Sequence, residues 1–591
     1  MSERAVELLS HWRVLLVSAV MVGLTAAVCV RVVLLQGDEE RRFLQREGDA
    51  RTIRTLRVPA SRGAIYDRRG EPLAVSTPVA SIWADPSAVD LGHPELPTLA
   101  VLLDYTPDAL VERLRRFSGR EFLYLRRQVA PSLAEEIGAL GIPGIEQQDE
   151  YKRFYPAGEV AAHLVGLTDI DDAGLEGIEL AFDDWLAGSA GAKRVIRDRR
   201  GRIVRDLELV EPVEPGRDLH LSIDLRLQYL AYREVKAAMT QYGAESATVV
   251  VLDVATGEVL AMVNQPGYNP NAPVAGDLAR MRNRAVTDTY EPGSTMKALT
   301  VAAALESGRF PADARIDTSP GWIRVGDKII EDPVDRGVLD LGGIIAKSSQ
   351  VGISHIALEL EDAMLRELFA RFGLGRSTGV GFPGEAAGRL PGAHRWREIE
   401  RVTLAYGYGL AVTPLQLAQA YTVFANDGGM RTPTLLRVDD EGAAQPAEQV
   451  LTPVIARTLT EMLERVVRDD GTAGRAAIPG YRVAGKTGTA RKVGAEGYDD
   501  ARHLAWFVGF APVTAPRIAA VVLVNEPQVE RTGGGAVAAP VFARVVAGAL
   551  RLLNVAPDAE LFTEVPVTDV RADGGRIARL APPDASGGMA R

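Results

Sequence analysis

Glu291-Pro292-Gly293-Ser294-Thr295-Met296-Lys297 is the stretch from which the rest of the chain can be read. Pro292 and Gly293 suit a turn, and the residues from Ala298 onward suit a helix. Ser294 and Lys297 then lie one helical turn apart on the same face. A serine hydroxyl is a poor nucleophile until a neighbouring base takes its proton. Lysine can be that base only when neutral, which requires burial or a nearby positive charge. A helix start also offers backbone N–H groups to developing negative charge. Alone, the pattern is weak, because a solvated helix start would produce it equally well.

Two further segments follow in order: Lys347-Ser348-Ser349-Gln350-Val351-Gly352 and Ala484-Gly485-Lys486-Thr487-Gly488-Thr489-Ala490. Lys-Thr-Gly by itself is as weak as Ser-x-x-Lys, a turn between strands being its bland reading. Together and in this order, the segments match the set shared by serine β-lactamases and penicillin-binding proteins. Their surroundings predict an antiparallel sheet flanked by helices, an α/β sandwich. Asp224 can cap a helix over Leu225–Met239. Thr248–Val254 and Val259–Val263 read as a hairpin around Ala255-Thr256-Gly257-Glu258. His503–Phe510 and Arg517–Val524 form a second β pair, which places Lys-Thr-Gly on an edge strand. Thr300–Glu306 and Pro414–Asn426 read as helices between them.

The chain of 591 residues is too long for one core. A formal charge of −11 and the lack of a basic cluster argue against nucleic-acid binding. The single cysteine, Cys29, rules out an internal disulfide or a cysteine-rich zinc site, and the seven histidines form no metal-binding pair; no metal or cofactor is expected. Residues 14–35 carry one charge, Arg31, and suffice to cross a bilayer as one helix, with Trp12 at the interface. No small-x-small cleavage site follows, so an uncleaved signal-anchor is expected. Arg4 and Arg13 precede the span while Arg31, Arg41, Arg42 and Arg46 follow it, so charge alone does not orient it. Residues 36–57 read as a charged helical stalk, and Val58 to Gly216 as an elongated α+β region with no catalytic constellation.

The chain closely resembles the class B penicillin-binding proteins of the division-specific FtsI type. The likeness also rests on Ser61-Arg62-Gly63, the run from Asp67 to Ser76, Trp83-Ala84-Asp85-Pro86, Arg153 to Glu159, Gly174 to Glu179, Tyr406-Gly407-Tyr408-Gly409 and Thr413 to Ala418. The resemblance implies a cytoplasmic tail (1–13), an anchor (14–35), a stalk and pedestal of the dimerisation type (36–216), a transpeptidase domain (217–556) and a disordered tail (557–591). It implies a septal enzyme of the bacterial inner membrane with its catalytic domain in the periplasm. Its substrates would be peptidoglycan stem peptides, its inhibitors β-lactams, and its partners an FtsW-type lipid-II polymerase and other divisome proteins. Residue by residue it implies Ser294 as nucleophile, Lys297 as base, Ser348 as proton shuttle and Lys486 as a charge that keeps Lys297 neutral. Gln350, Thr487, Gly488 and Thr489 would bind substrate, and the N–H groups of Ser294 and Thr489 would form the oxyanion hole. Two departures stand out. Gln350 replaces the family's Asn, and Arg531-Thr532-Gly533-Gly534-Gly535 lacks the usual aromatics, which leaves that wall open or mobile. An elongation-type or specialised paralogous transpeptidase, a carboxypeptidase, a β-lactamase and a catalytically silent divisome scaffold are the rivals; the long pedestal counts against the carboxypeptidase and the β-lactamase, and the absence of a Glu-x-x-x-Asn segment also counts against the β-lactamase.

Overall fold

The computed structural model describes residues 3–35, 53–197, 203–274, 276, 278–392, 396–439, 444–468, 470–494 and 497–559. Most of the expected stalk and nearly all of the expected C-terminal tail lie outside these residues. Helix α1 (Glu3–Leu35) contains the apolar span Trp12–Val33, whose side chains are all uncovered by protein. A helix that is apolar all round needs an apolar solvent, so this is a membrane anchor.

The expected helical pattern over 36–57 fails at its end, because Ile53–Val58 is a strand, β1. Its β-branched residues pair with a later strand, and that pairing overrides the local charge pattern. The pedestal continues with β2 (Ile65–Tyr66), β3 (Pro72–Ala84), β4 (Leu123–Val129), β5 (Ile145–Phe154), β6 (Gly191–Arg197), β7 (Ile203–Glu211) and β8 (Leu219–His220). One sheet has the order β1-β6-β7 and the other β8-β2-β3-β4, with β5 also on β3. The short helices Leu96–Leu102, Pro107–Arg116 and Pro131–Ala139 enclose a separate small core around Ile82, Leu99, Leu110 and Leu114.

A buried ionic knot joins three pedestal segments. Arg62 Nε donates to Glu179 Oε2 at 2.7 Å, and Arg153 Nε donates to Glu179 Oε1 at 2.6 Å. Arg62 is 3% exposed, Arg153 6% and Glu179 0%. Glu179 thus bridges two buried guanidinium groups, and Arg62 Nη1 also donates to Asp183 Oδ1 at 2.6 Å.

The chain leaves the pedestal beside its own beginning: β8 runs parallel to β2, pairing Leu219 with Ile65. Buried Asp67 locks this junction. Its Oδ1 accepts from the N–H groups of Arg69 and Glu71, and its Oδ2 accepts from Leu225 N at 3.0 Å. Leu225 opens α2 (Leu225–Tyr242), which Asp224 caps as expected and which Gly243 ends in a left-handed conformation.

The second domain holds β9 (Ser246–Asp253), β10 (Val259–Gln265), α3 (Lys297–Glu306), β11 (Trp322–Val325), β12 (Lys328–Glu331), α4 (Leu341–Lys347), α5 (Gln350–Glu359), α6 (Pro414–Ala425), α7 (Pro453–Glu464), β13 (Ala484–Gly494), β14 (Gly497–Ala511), β15 (Ile518–Asn525) and α8 (Gly534–Leu552). Its antiparallel sheet has the order β10-β9-β15-β14-β13, so both expected β pairs and the expected edge strand are present. Helices α2 and α8 pack together against the sheet, and α6 also packs against it. Every residue of β9 is buried, which explains the apolar run Val249–Leu252 within it. Helix α8 is apolar and long, yet 56% of its most apolar window is buried, so it is a core helix and not a second anchor.

Replacing Glu179 with Ala should leave the buried Arg153 without its carboxylate, while Arg62 keeps Asp183. Loss of one partner of such a group costs about 3–5 kcal/mol. Denaturant unfolding of the pedestal should register that loss; a change under about 1 kcal/mol would mean that water had taken the carboxylate's place.

Candidate active site

Ser294 lies in a tight 3₁₀ turn, Gly293–Met296, that leads directly into α3. The sequence pattern predicted an α-helical start; the first turn is instead the tighter 3₁₀ form, and the α-helix begins at Lys297. Tyr421 Oη donates to Thr295 O at 2.7 Å and Trp506 Nε1 donates to Glu291 O at 3.1 Å, so buried aromatic side chains hold the turn from both sides. Glycines let three segments approach. Gly293 N donates to Gly407 O at 3.1 Å, and a Cβ on Gly407 would sit 2.0 Å from Gly293 O. A Cβ on Gly488 would sit 2.6 Å from Pro292 O, so only glycine lets β13 press against the turn.

Lys297 and Lys486 are fully buried. Lys297 Nζ donates to Ser348 O at 2.5 Å and to Ser348 Oγ at 3.2 Å. Lys486 Nζ donates to the same Oγ at 3.0 Å, and to Thr487 O at 3.1 Å. The three sequence segments therefore converge on one hydroxyl. Among the described residues no hydrogen bond holds Ser294 Oγ. Burial brings the Lys297 amine down to about 7; Arg336 pushes it the same way and Asp332 opposes. Burial, and after it the neighbouring Lys297, also push the Lys486 amine well below the ordinary lysine range. Both amines are thus pushed towards the neutral form, each by its own burial.

Ser348 ends α4 with φ 57° and ψ 39°, a left-handed conformation that is uncommon for serine. That kink allows α5 to begin two residues later, capped by Ser349, whose Oγ accepts from Gly352 N at 2.9 Å. Asp332, 8% exposed, accepts from Ser349 Oγ and from Gln350 N. Asp332 was not picked out from the sequence: an Asp before a Pro in a loop signals only a turn. Gln350 lines a cleft of about 900 Å³ together with Tyr406, Tyr408, Arg491 and Tyr498. Tyr408 packs edge-on against both Tyr406 and Tyr498, at 5.7 and 5.2 Å between ring centres.

On the edge strand, Thr487 is nearly buried and Thr489 is exposed. A Cβ on Gly293 would lie 2.9 Å from Thr489 O, so the peptide edge of Thr489 faces the nucleophile turn. In a strand a residue's N–H points to the same side as its C=O. The glycine stretch expected to be open closes against this strand: Gly534 N donates to Thr489 Oγ1 at 3.2 Å, and a Cβ on Gly534 would lie 2.0 Å from Trp506 O. Arg531 alone of that stretch is exposed.

A site of this geometry defines a class, the serine acyltransferases whose base is a lysine. The chain belongs to the penicillin-binding protein family: residues 247–547 match its transpeptidase domain and residues 57–221 its dimerisation domain. It is 44% identical to the Escherichia coli peptidoglycan D,D-transpeptidase FtsI, over 88% of this chain and 88% of that one. It is 42% identical to a Pseudomonas aeruginosa protein named probable peptidoglycan D,D-transpeptidase PbpC, over 93% of this chain and 96% of that one. Its structure is similar to penicillin-binding protein 3 of Mycobacterium tuberculosis complexed with aztreonam, with TM-score 0.66 and 28% identity, over 86% of this chain and 99% of the other.

If Lys297 must be neutral to act, acylation by a β-lactam should be level above about pH 7 and fall about tenfold per unit below it. Stopped-flow rates across that range measure this; a flat profile would remove Lys297 from the role of base. For Gln350, the bond from its backbone N–H to Asp332 prevents the backbone from retreating to accommodate the longer arm. Gln350→Asn should therefore restore the reach of the shorter amide and speed acylation by a penicillin roughly 2- to 10-fold, the worth of one displaced hydrogen bond. An equal or slower rate for the variant would mean that the cleft is fitted to glutamine.

Proposed function

We propose that this chain is a septal peptidoglycan D,D-transpeptidase that cross-links stem peptides through an acyl-enzyme on Ser294 and that β-lactams inhibit by acylating the same serine. The observation that carries the reading is the meeting of Lys486 and of Lys297, three residues after Ser294, on Ser348 Oγ. Ser294 Oγ attacks the carbonyl carbon of the penultimate D-alanine while its proton passes to Lys297. The backbone N–H groups of Ser294 and Thr489 stabilise the oxyanion. Ser348 Oγ accepts from both amines, so its own hydrogen is free to move to the leaving nitrogen as the C–N bond breaks, and Lys297 replenishes it. Terminal D-alanine departs. An amine of a second stem peptide then attacks the ester carbonyl, gives up its proton through the same groups, and Ser294 is released.

Thr487 and Thr489 hold the terminal carboxylate of the donor, Gly488 keeps the strand close to the turn, and the amide of Gln350 meets the donor's peptide backbone. Lys486 orders the hydroxyl network. Residues 1–13 lie in the cytoplasm, residues 36–216 form the stalk and pedestal, and residues 217–556 are the catalytic domain, in the periplasm. The orientation follows from the substrate, which is assembled outside the inner membrane. The pedestal serves as a docking element for an FtsW-type lipid-II polymerase and other divisome proteins.

Fluorescent penicillin should label the purified chain to one equivalent. Ser294→Ala should abolish labelling with no change in melting temperature. Label on that variant would move the nucleophile elsewhere, and an unlabelled wild-type chain would favour a divisome scaffold over an enzyme.

A further inference from the structure

Thr472 belongs to none of the three segments, yet the fold delivers its hydroxyl to the third. It sits on the turn between α7 and β13. Gly471 N donates to Arg468 O at 2.9 Å, and Ala473 N donates to Val466 O at 2.9 Å, so the residues on either side are fixed. A Cβ on Gly535 would lie 2.1 Å from Thr472 O, so the first turn of α8 closes on the backbone of Thr472 itself. Thr472 Oγ1 ends 3.0 Å from Thr487 Oγ1.

A threonine hydroxyl has one hydrogen and two lone pairs. Lys486 Nζ, at 3.4 Å, supplies one hydrogen bond to Thr487 Oγ1. If Thr472 supplies the second, both lone pairs of Thr487 are engaged from the protein side, and its own hydrogen has only the cleft to point into. If Thr472 accepted instead, Thr487 would turn a lone pair towards the cleft and repel an anion. Exposure favours the first arrangement: Thr472 is exposed and water can serve its remaining capacity, whereas Thr487 is 7% exposed. The neighbouring threonine follows the same plan, since Gly534 N donates to Thr489 Oγ1 and leaves that hydroxyl free to donate.

We propose that Thr472 is a positioning residue that sets the Thr487 hydroxyl as a hydrogen-bond donor to the terminal carboxylate of the donor peptide. The inference rests on the reading of Thr487 as a carboxylate-holding residue, and the test separates the two. The full chain is acylated with two thioester donors that differ only at the end, one a carboxylate and the other a carboxamide. The ratio of their second-order acylation constants measures carboxylate preference. Thr472→Val should lower that ratio about 2- to 10-fold, through the carboxylate donor alone, the worth of one misdirected hydrogen bond. Thr472→Ser should keep it. Thr487→Val, measured alongside, should lower it at least as far. If Thr487→Val lowers the ratio and Thr472→Val leaves it unchanged or raises it, the role of Thr472 is overturned while Thr487 stands. If Thr472→Val slows both donors equally, its role is merely structural and the proposal fails. If Thr487→Val leaves the ratio unaltered, the carboxylate reading falls and takes the proposal with it.

Discussion

Two fully buried lysine amines meeting on one serine hydroxyl are the constraint around which the catalytic domain is built. An ammonium group taken out of water is costly unless it is paired, and here no carboxylate hydrogen-bonds directly to either amine among the described residues. The structure responds by letting the amines lose protons. Lys297 is brought down to about 7 by burial, which makes it a base at neutral pH. The same shift burdens folding, because the amine binds its proton more tightly in the unfolded chain. That burden is felt in full below about pH 7 and fades as pH rises towards the ordinary lysine range. The site's reactivity and its cost in stability are therefore one quantity.

Holding the arrangement requires close backbone approach, and the means is local. Gly293, Gly407 and Gly488 each lack the Cβ that would collide with a neighbouring main chain. The nucleophile turn can therefore be clasped between the edge strand and the segment that carries Tyr406 and Tyr408. The edge position of β13 is equally necessary, because a central strand would have both its peptide edges paired and none left for a substrate. Asp332 adds the last restraint, fixing the start of α5 and with it the conformation of Ser348 and Gln350.

The pedestal is joined to this domain through main chain and not merely by a linker. Strand β8 completes a pedestal sheet, and a few residues later Leu225 opens the first catalytic helix with its N–H on Asp67. Contacts between Tyr232 and Glu159, and between Gln228 and Val160 O, extend the seam along α2. The helix that meets the pedestal also packs on the catalytic sheet, so a displacement of one domain bears directly on the other.

The anchor, both hairpins, the capped helix at Asp224 and the three catalytic segments were legible in the sequence because each follows from spacing or composition within a few residues. A long apolar run, an alternation broken by Gly-Glu, or a Ser and a Lys one turn apart depends on nothing distant. The strand at Ile53–Val58 was missed because its partner is β6, far along the chain, and local charge gave no hint of it. Asp332 and Thr472 carried no signal, being ordinary loop residues until the fold set them against Ser349 and Thr487. The glycine stretch before α8 read as an open wall, yet the missing side chains are what let the helix start close on β13. The sequence by itself determined which residues could do the chemistry. Only the tertiary structure decided that both lysines are pushed towards neutrality, because that depends on burying two amines from distant segments against one hydroxyl.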